Sequence, residues 1–188
     1  LHGKRGDLTR RSAAEAAALR PVALLCEGTH TGTHEPVTEA TVQDNALPLM
    51  RAAAGSLVVA DFGPRNVDRL YSFLELAAST DRILLVQPKD IHLLTMMALA
   101  DPAVFPDPLT LPGIGLYADP KSAPRPWEVR VRSTWQSRTV GPAQVAAHPG
   151  DYVLAWSLWD LNDLLDLEGV QEGVYIYSNS RAYDDEQE

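Results

Sequence analysis

The residues of this 188-residue chain best placed to do chemistry are polar groups that directly follow short apolar runs. Glu27 comes after Val22-Ala23-Leu24-Leu25-Cys26, with Thr29 and His30 just beyond it. A carboxylate that ends a buried strand is costly unless water, a cation or hydrogen-bond donors meet it, so Glu27 calls for a partner, either catalytic or ion-paired. Arg65 and Asn66 follow Leu57-Val58-Val59-Ala60, Gln87 and Lys89 follow Ile83-Leu84-Leu85-Val86, and Ser178, Asn179 and Ser180 follow Val174-Tyr175-Ile176-Tyr177. In open parallel sheets, ligands bind beyond the carboxyl ends of the strands, where loops and helix N-termini gather. Of these, Arg65, Asn66, Lys89, Ser178 and Asn179 are the candidates for substrate binding. Each has a structural alternative: Asn66 and Asp90 cap helices, Arg65 pairs with Asp61 or Asp68, and residues 178–180 form a turn.

The usual catalytic signatures are missing. No Gly-x-Gly-x-x-Gly follows a strand, there is no P-loop and there is no Gly-x-Ser-x-Gly elbow, so dinucleotide binding, NTP binding and serine hydrolysis have no local support. Cys26 is the single cysteine; it ends an apolar run and reads as a small core residue. The histidines at 2, 30, 34, 92 and 148 are scattered, and His30 and His34 fall in a loop rather than on a helix that would make them converge, so no metal site is expected within the chain. Trp127, Arg130, Arg132, Trp135 and Arg138 mix aromatic and cationic groups as single-stranded nucleic-acid binders do. An amphipathic helix with the tryptophans inward explains the same letters and is the preferred reading.

The elements that must position these residues alternate. Ser12 and Glu15 have capping-box spacing, which predicts a helix over about 9–20 stopped by Pro21, then a buried strand over 22–26. Thr38 caps a helix to about Ala54 that Pro48 should kink, with Gly55 as its left-handed stop. A strand at 57–60, a helix from Asn66, a strand at 83–86 and a helix from Asp90 repeat the pattern, before prolines at 102, 106, 108 and 112 mark an excursion loop. Further strands are expected at 114–117, 152–156 and 174–177, with a short helix from 159 to 167, while helix and strand compete over 127–137. This rhythm predicts an α/β, Rossmann-like fold: a mainly parallel sheet with helices on both faces, in one unit spanning 1–188.

Composition fits a folded chain, with 45% hydrophobic and 22% charged residues. The net charge of −9 conceals a basic middle: residues 121–138 carry five cations against Glu128, whereas 151–188 carry ten acids against Arg181. The acidic total argues against a strong grip on nucleic acid by this chain alone. No run approaches the roughly 18 to 20 apolar residues that cross a bilayer, and no secretory leader is visible, so the expected compartment is the cytoplasm, without membrane contact.

Three segments together carry a resemblance. Cys26-Glu27-Gly28-Thr29 resembles motif A of the β-CASP nucleases, Phe62-Gly63-Pro64-Arg65-Asn66-Val67-Asp68-Arg69 resembles their next strand-to-helix turn, and Val174 to Ser180 resembles a late strand. Their order and spacing also fit, over nearly the whole chain. Leu1-His2-Gly3 is similar to the remainder of a stretch that follows the family's fourth metal-binding motif. The resemblance implies the β-CASP segment of a metallo-β-lactamase-fold nuclease, with residues 1–30 at the edge of a metallo-β-lactamase domain whose His-x-His-x-Asp-His motif and later histidines are absent here. Zinc would be the cofactor of the complete enzyme and RNA its expected substrate. Glu27 would hold and polarise one of the absent histidines, so this chain alone is expected to be inactive. Pro48 and Gly63-Pro64 depart from the family pattern. The missing domain is the expected partner, and faces that it leaves bare favour homo-oligomers. The alternative is a stand-alone binding or dimerisation module of the same fold.

Overall fold

The computed structural model describes residues 6–23, 25, 38–63, 65–119 and 123–179. Its centre is a six-stranded sheet, built from β1 (Leu57–Asp61), β2 (Ile83–Val86), β3 (Ile114–Tyr117), β4 (Thr139–Val140), β5 (Tyr152–Trp156) and β6 (Gly173–Tyr177). The strands lie in the order β4-β3-β2-β5-β1-β6, and every pairing is parallel. The Rossmann-like α/β architecture expected from the alternation is therefore present. Strands covered on both faces need apolar residues at every position, which is why the runs 57–60 and 83–86 read as continuous rather than alternating.

The two faces have separate cores. On one, α2 (Glu39–Ala52), α3 (Val67–Ser79), α4 (Pro88–Ala100) and α5 (Pro126–Thr134) cover Val58, Ala60, Leu84, Val86 and Val153. On the other, α6 (Pro142–Ala147) and the 3-10 segment Leu158–Asp166 bring Val145, Leu161 and Leu164 against Val59, Leu85, Leu154 and Trp156. The chain leaves β2 toward one side of the sheet through α4 and leaves β5 toward the other through the 3-10 segment. Because β2 and β5 are neighbours, their carboxyl ends form the topological switch point of the sheet.

Several boundaries differ from expectation. The first helix, α1 (Gly6–Ala18), starts before Ser12, and its side chains from Asp7 onward are all exposed. Ser12 and Glu15 are thus interior, and Glu15 pairs with Arg11 one turn back at 3.6 Å. Arg20, with φ of 50°, makes the left-handed stop ahead of Pro21. The strand expected over 22–26 is not formed at its described residues: Val22, Ala23 and Leu25 are exposed and pair with no strand, so the run lacks the neighbour whose N–H and C=O groups a strand requires. Leu24 and Cys26 lie outside the described residues.

The helix α2 passes through Pro48 as one element. The helix α4 begins at Pro88 rather than after Asp90: proline suits the first helical position, Gln87 is the N-cap, and the Asp90 carboxylate accepts from the Gln87 amide at 3.0 Å. Over 127–137, helix wins. Sequence reasoning missed β4 and α6, which are short and joined by Gly141-Pro142. No helix among the described residues is long and apolar enough to cross a membrane.

Candidate functional site

The carboxyl edge of the sheet holds the polar residues, and they fall into two connected groups. The first surrounds Asp61, the last residue of β1, which is fully buried. Its carboxylate accepts from the Tyr175 hydroxyl and, at 2.8 Å, from Asn179 Nδ2. Asn179 in turn accepts from the Gly63 amide at 2.8 Å, and the Ser178 amide donates to the Asp61 carbonyl at 2.8 Å. A buried carboxylate needs such donors, because unpaired it would lose its hydration without compensation. Burial, and then the bond to Asp61, raises the Tyr175 phenol above its ordinary value.

Arg69, on α3, extends this group to the start of the sheet-covering body. Its Nε donates to the Glu39 carboxylate at 3.1 and 2.9 Å, and its Nη1 donates to the Ser178 carbonyl and, at 2.6 Å, to Ser178 Oγ. Ser72 Oγ adds a 2.7 Å bond to Glu39. The first residue of α2 and the residue after β6 are thereby held by one side chain, although they are far apart in sequence. The Phe62–Arg69 turn and the Val174–Asn179 strand end, noted separately in the sequence, interlock here.

The second group lies at the switch point. Lys89 Nζ reaches both carboxylate oxygens of Asp160, at 2.6 and 2.7 Å. Asp160 is also the third residue of the 3-10 segment, and it accepts from the Ser157 amide at 2.9 Å and the Ser157 hydroxyl at 2.6 Å. Asp90 and Asp160 thus do the same job for two helical segments that start side by side. A void of about 10 Å3 lies between them, lined by Phe62, Leu70, Ala155 and Ser157 as well, which is at the lower limit for one water. Burial pushes Asp90 up to about 7, with Asp160 adding to the effect and the Gln87 amide and Lys89 opposing it. Burial also raises Asp160, but bonds from Lys89 and Ser157 outweigh it and hold that carboxyl below its ordinary value. Gln87 Nε2 makes a long 3.4 Å bond to Asp163.

Of the residues predicted to bind substrate, the structure brings Ser178 and Asn179 together in the Asp61 group and sets Lys89 on Asp160. Asn66 caps α3, its Oδ1 accepting from the Arg69 amide at 3.1 Å. Arg65 is exposed on the turn before α3, and Asp61, one of its expected partners, is occupied by Tyr175 and Asn179 instead. Glu27, Cys26, Thr29, His30, His34 and Ser180 lie outside the described residues. The sequence names Asp61 only as a partner for Arg65 and Arg69 only as the end of the Phe62–Arg69 segment, and singles out neither Glu39 nor Asp160 as a site residue. The rule that singled out Glu27, an acid at the end of an apolar run, applies equally to Asp61 and would have found it.

Among the described residues, no group of three or more His, Cys, Asp or Glu side chains is arranged to hold a metal ion, so these residues do not by themselves fit a zinc centre. No family model, curated protein or solved structure matches the chain.

Proposed function

We propose that residues 1–188 are the β-CASP portion of a zinc-dependent metallo-β-lactamase-fold nuclease that cleaves RNA phosphodiesters, with residues 1–30 at the edge of the metallo-β-lactamase domain, Glu27 as the supporting acid and the metal ligands supplied from outside this chain or by a separate partner. The observation that supports this reading is the Arg69 clasp. It joins the first residue of α2, Glu39, to the residue after β6, Ser178. That arrangement suits a unit carried as an insertion within another domain, whose two connections must lie together. Arg69 and Ser178 of the clasp belong to the two segments that resemble the family, whereas Glu39 does not.

The test uses the polypeptide encoded by the whole reading frame around this segment. Zinc-dependent RNA cleavage that Glu27→Ala abolishes while zinc stays bound supports the reading; a whole polypeptide that neither binds zinc nor cleaves RNA refutes it. A second reading, a non-catalytic module that self-associates, draws on the apolar side chains left bare at Trp159, 87% exposed, and Leu165, 84% exposed. It requires concentration-dependent dimers that Trp159→Ser dissociates.

A further inference from the structure

The Trp127–Arg138 segment mixes rings and cations in its sequence, and the fold separates them. Trp135 is buried, with the Arg138 guanidinium 5.8 Å from its ring centre, and Arg138 also donates to the Leu111 carbonyl at 2.9 Å. Arg132 lies 3.6 Å from Asp119. Those three are therefore taken up by the protein itself. Trp127 remains half-buried and stacks on His92 of α4, with ring centres 4.9 Å apart and planes inclined at 26°. Arg130 follows one helical turn after Trp127, and Arg125 precedes it at the N-cap of α5. Both arginines are exposed, and among the described residues neither guanidinium makes an ion pair.

We propose that the His92–Trp127 ring pair, flanked by Arg125 and Arg130, is a contact site for single-stranded nucleic acid, with a base stacked on the rings and phosphates met by the two arginines. Trp127 packs against the core beside the buried Val131 and Trp135 and keeps the rest of its surface exposed, so only that exposed part is available to a base. Stacked rings, with nearby in sequence two guanidinium groups that make no ion pair among the described residues, suit a strand of bases and phosphates, because stacking is tolerant of sequence and arginine adds cation–π and phosphate contact. The net charge of −9 makes this a local contact rather than a general polyanion grip. The site deepens the nuclease reading only in taking the bound strand as that enzyme's substrate. Its residues are not those that carry the reading.

The experiment is fluorescence anisotropy of a labelled oligouridylate of about 12 nucleotides, within the ~4–16 nucleotide range of single-strand sites, titrated with the 188-residue chain at several salt concentrations. Binding should weaken roughly 5- to 150-fold in His92→Ala, the range for loss of one stacked base. In Arg130→Ala the slope of log K against log salt should fall by about one. Arg51→Ala, exposed in the last turn of α2, should match the parent chain. Absence of binding overturns the proposal, as does binding that His92→Ala leaves at full strength, or that Arg51→Ala weakens as much as Arg130→Ala. The assay reads binding without zinc or cleavage, so its failure leaves the nuclease reading intact, and failure of that reading leaves this site intact.

Discussion

Arg69 lies 2.9 Å from the Glu39 carboxylate, with both side chains largely withdrawn from water at 14% and 9% exposure. The same guanidinium holds Ser178, so a single cation joins the start of α2, the start of α3 and the end of β6. Removing one member of a buried ion pair leaves the other charge without compensation.

Arg69→Ala should therefore destabilise the fold by about 3–5 kcal/mol, the usual cost of breaking a buried pair. Arg69→Lys should recover only part of it, because an ammonium cannot reproduce a planar fork shared between a carboxylate and a carbonyl. Urea denaturation of the two variants and the parent chain measures both effects.

Asp90 should make the chain less stable as pH rises toward neutrality. Its folded value of about 7 is above the ordinary 3.8, so the folded state binds a proton that the unfolded state has already released over that window. The stabilisation is complete below about pH 4 and is lost as pH climbs through 7. Asp160 acts in the opposite sense, losing its contribution as pH falls through its lowered value. Asp90→Asn keeps an oxygen for the Gln87 amide and should flatten the fall between pH 4 and 7. Thermal unfolding across that range, parent against variant, reads the difference.

Tyr117→Phe should be neutral or stabilising, by up to about 1 kcal/mol. Tyr117 is fully buried with its ring set edge-on to Trp156, yet among the described residues its hydroxyl has no hydrogen-bond partner. Deleting an unsatisfied buried hydroxyl without changing the ring removes a desolvation cost and opens little space. A loss of 2 kcal/mol or more, from denaturant midpoints, would mean that the hydroxyl has a partner such as a buried water.

Gly150→Ala should destabilise by about 1–3 kcal/mol, the range for overpacking. A β-carbon at Gly150 would meet the Gly55 Cα at 2.7 Å, and backbone cannot swing aside as a side chain does. Gly55 itself sits at φ of 82°, a conformation that suits glycine, so it is poorly placed to give way. Comparing the alanine variants of Gly150, which lacks a positive φ, and Gly169, which has φ of 88° and open space around it, separates close approach from backbone strain.

Much of the fold was legible because buried parallel strands leave unbroken apolar runs, as β1, β2, β3 and β5 do, while the edge strand β6 shows itself by its Val-Tyr-Ile-Tyr run although only Ile176 is buried. Strand β4, at Thr139–Val140, was not: two residues carry no period, and its place beside β3 comes from register with Leu116 and Tyr117. Val22, Ala23 and Leu25 misled for the converse reason, since apolar letters make a strand only where a neighbour offers hydrogen bonds. At the carboxyl edge, spacing located Lys89, Ser178 and Asn179 correctly but could not show their partners. Whether Lys89 faces solvent or Asp160 depends on β2 and β5 being adjacent, a long-range fact that no local pattern contains. Asp90 was read as a cap in its own right, when Pro88 had already fixed the helix start two residues earlier.

In the function proposed above, this chain supplies a scaffold and a supporting acid to a nuclease whose metal ligands lie elsewhere. Metal analysis of the purified 188-residue chain, with an RNA cleavage assay on the same sample, tests it most directly. Zinc should be far below one ion per chain, and no cleavage should be seen. Stoichiometric, tightly held zinc together with RNA cleavage that Glu27→Ala abolishes would contradict it.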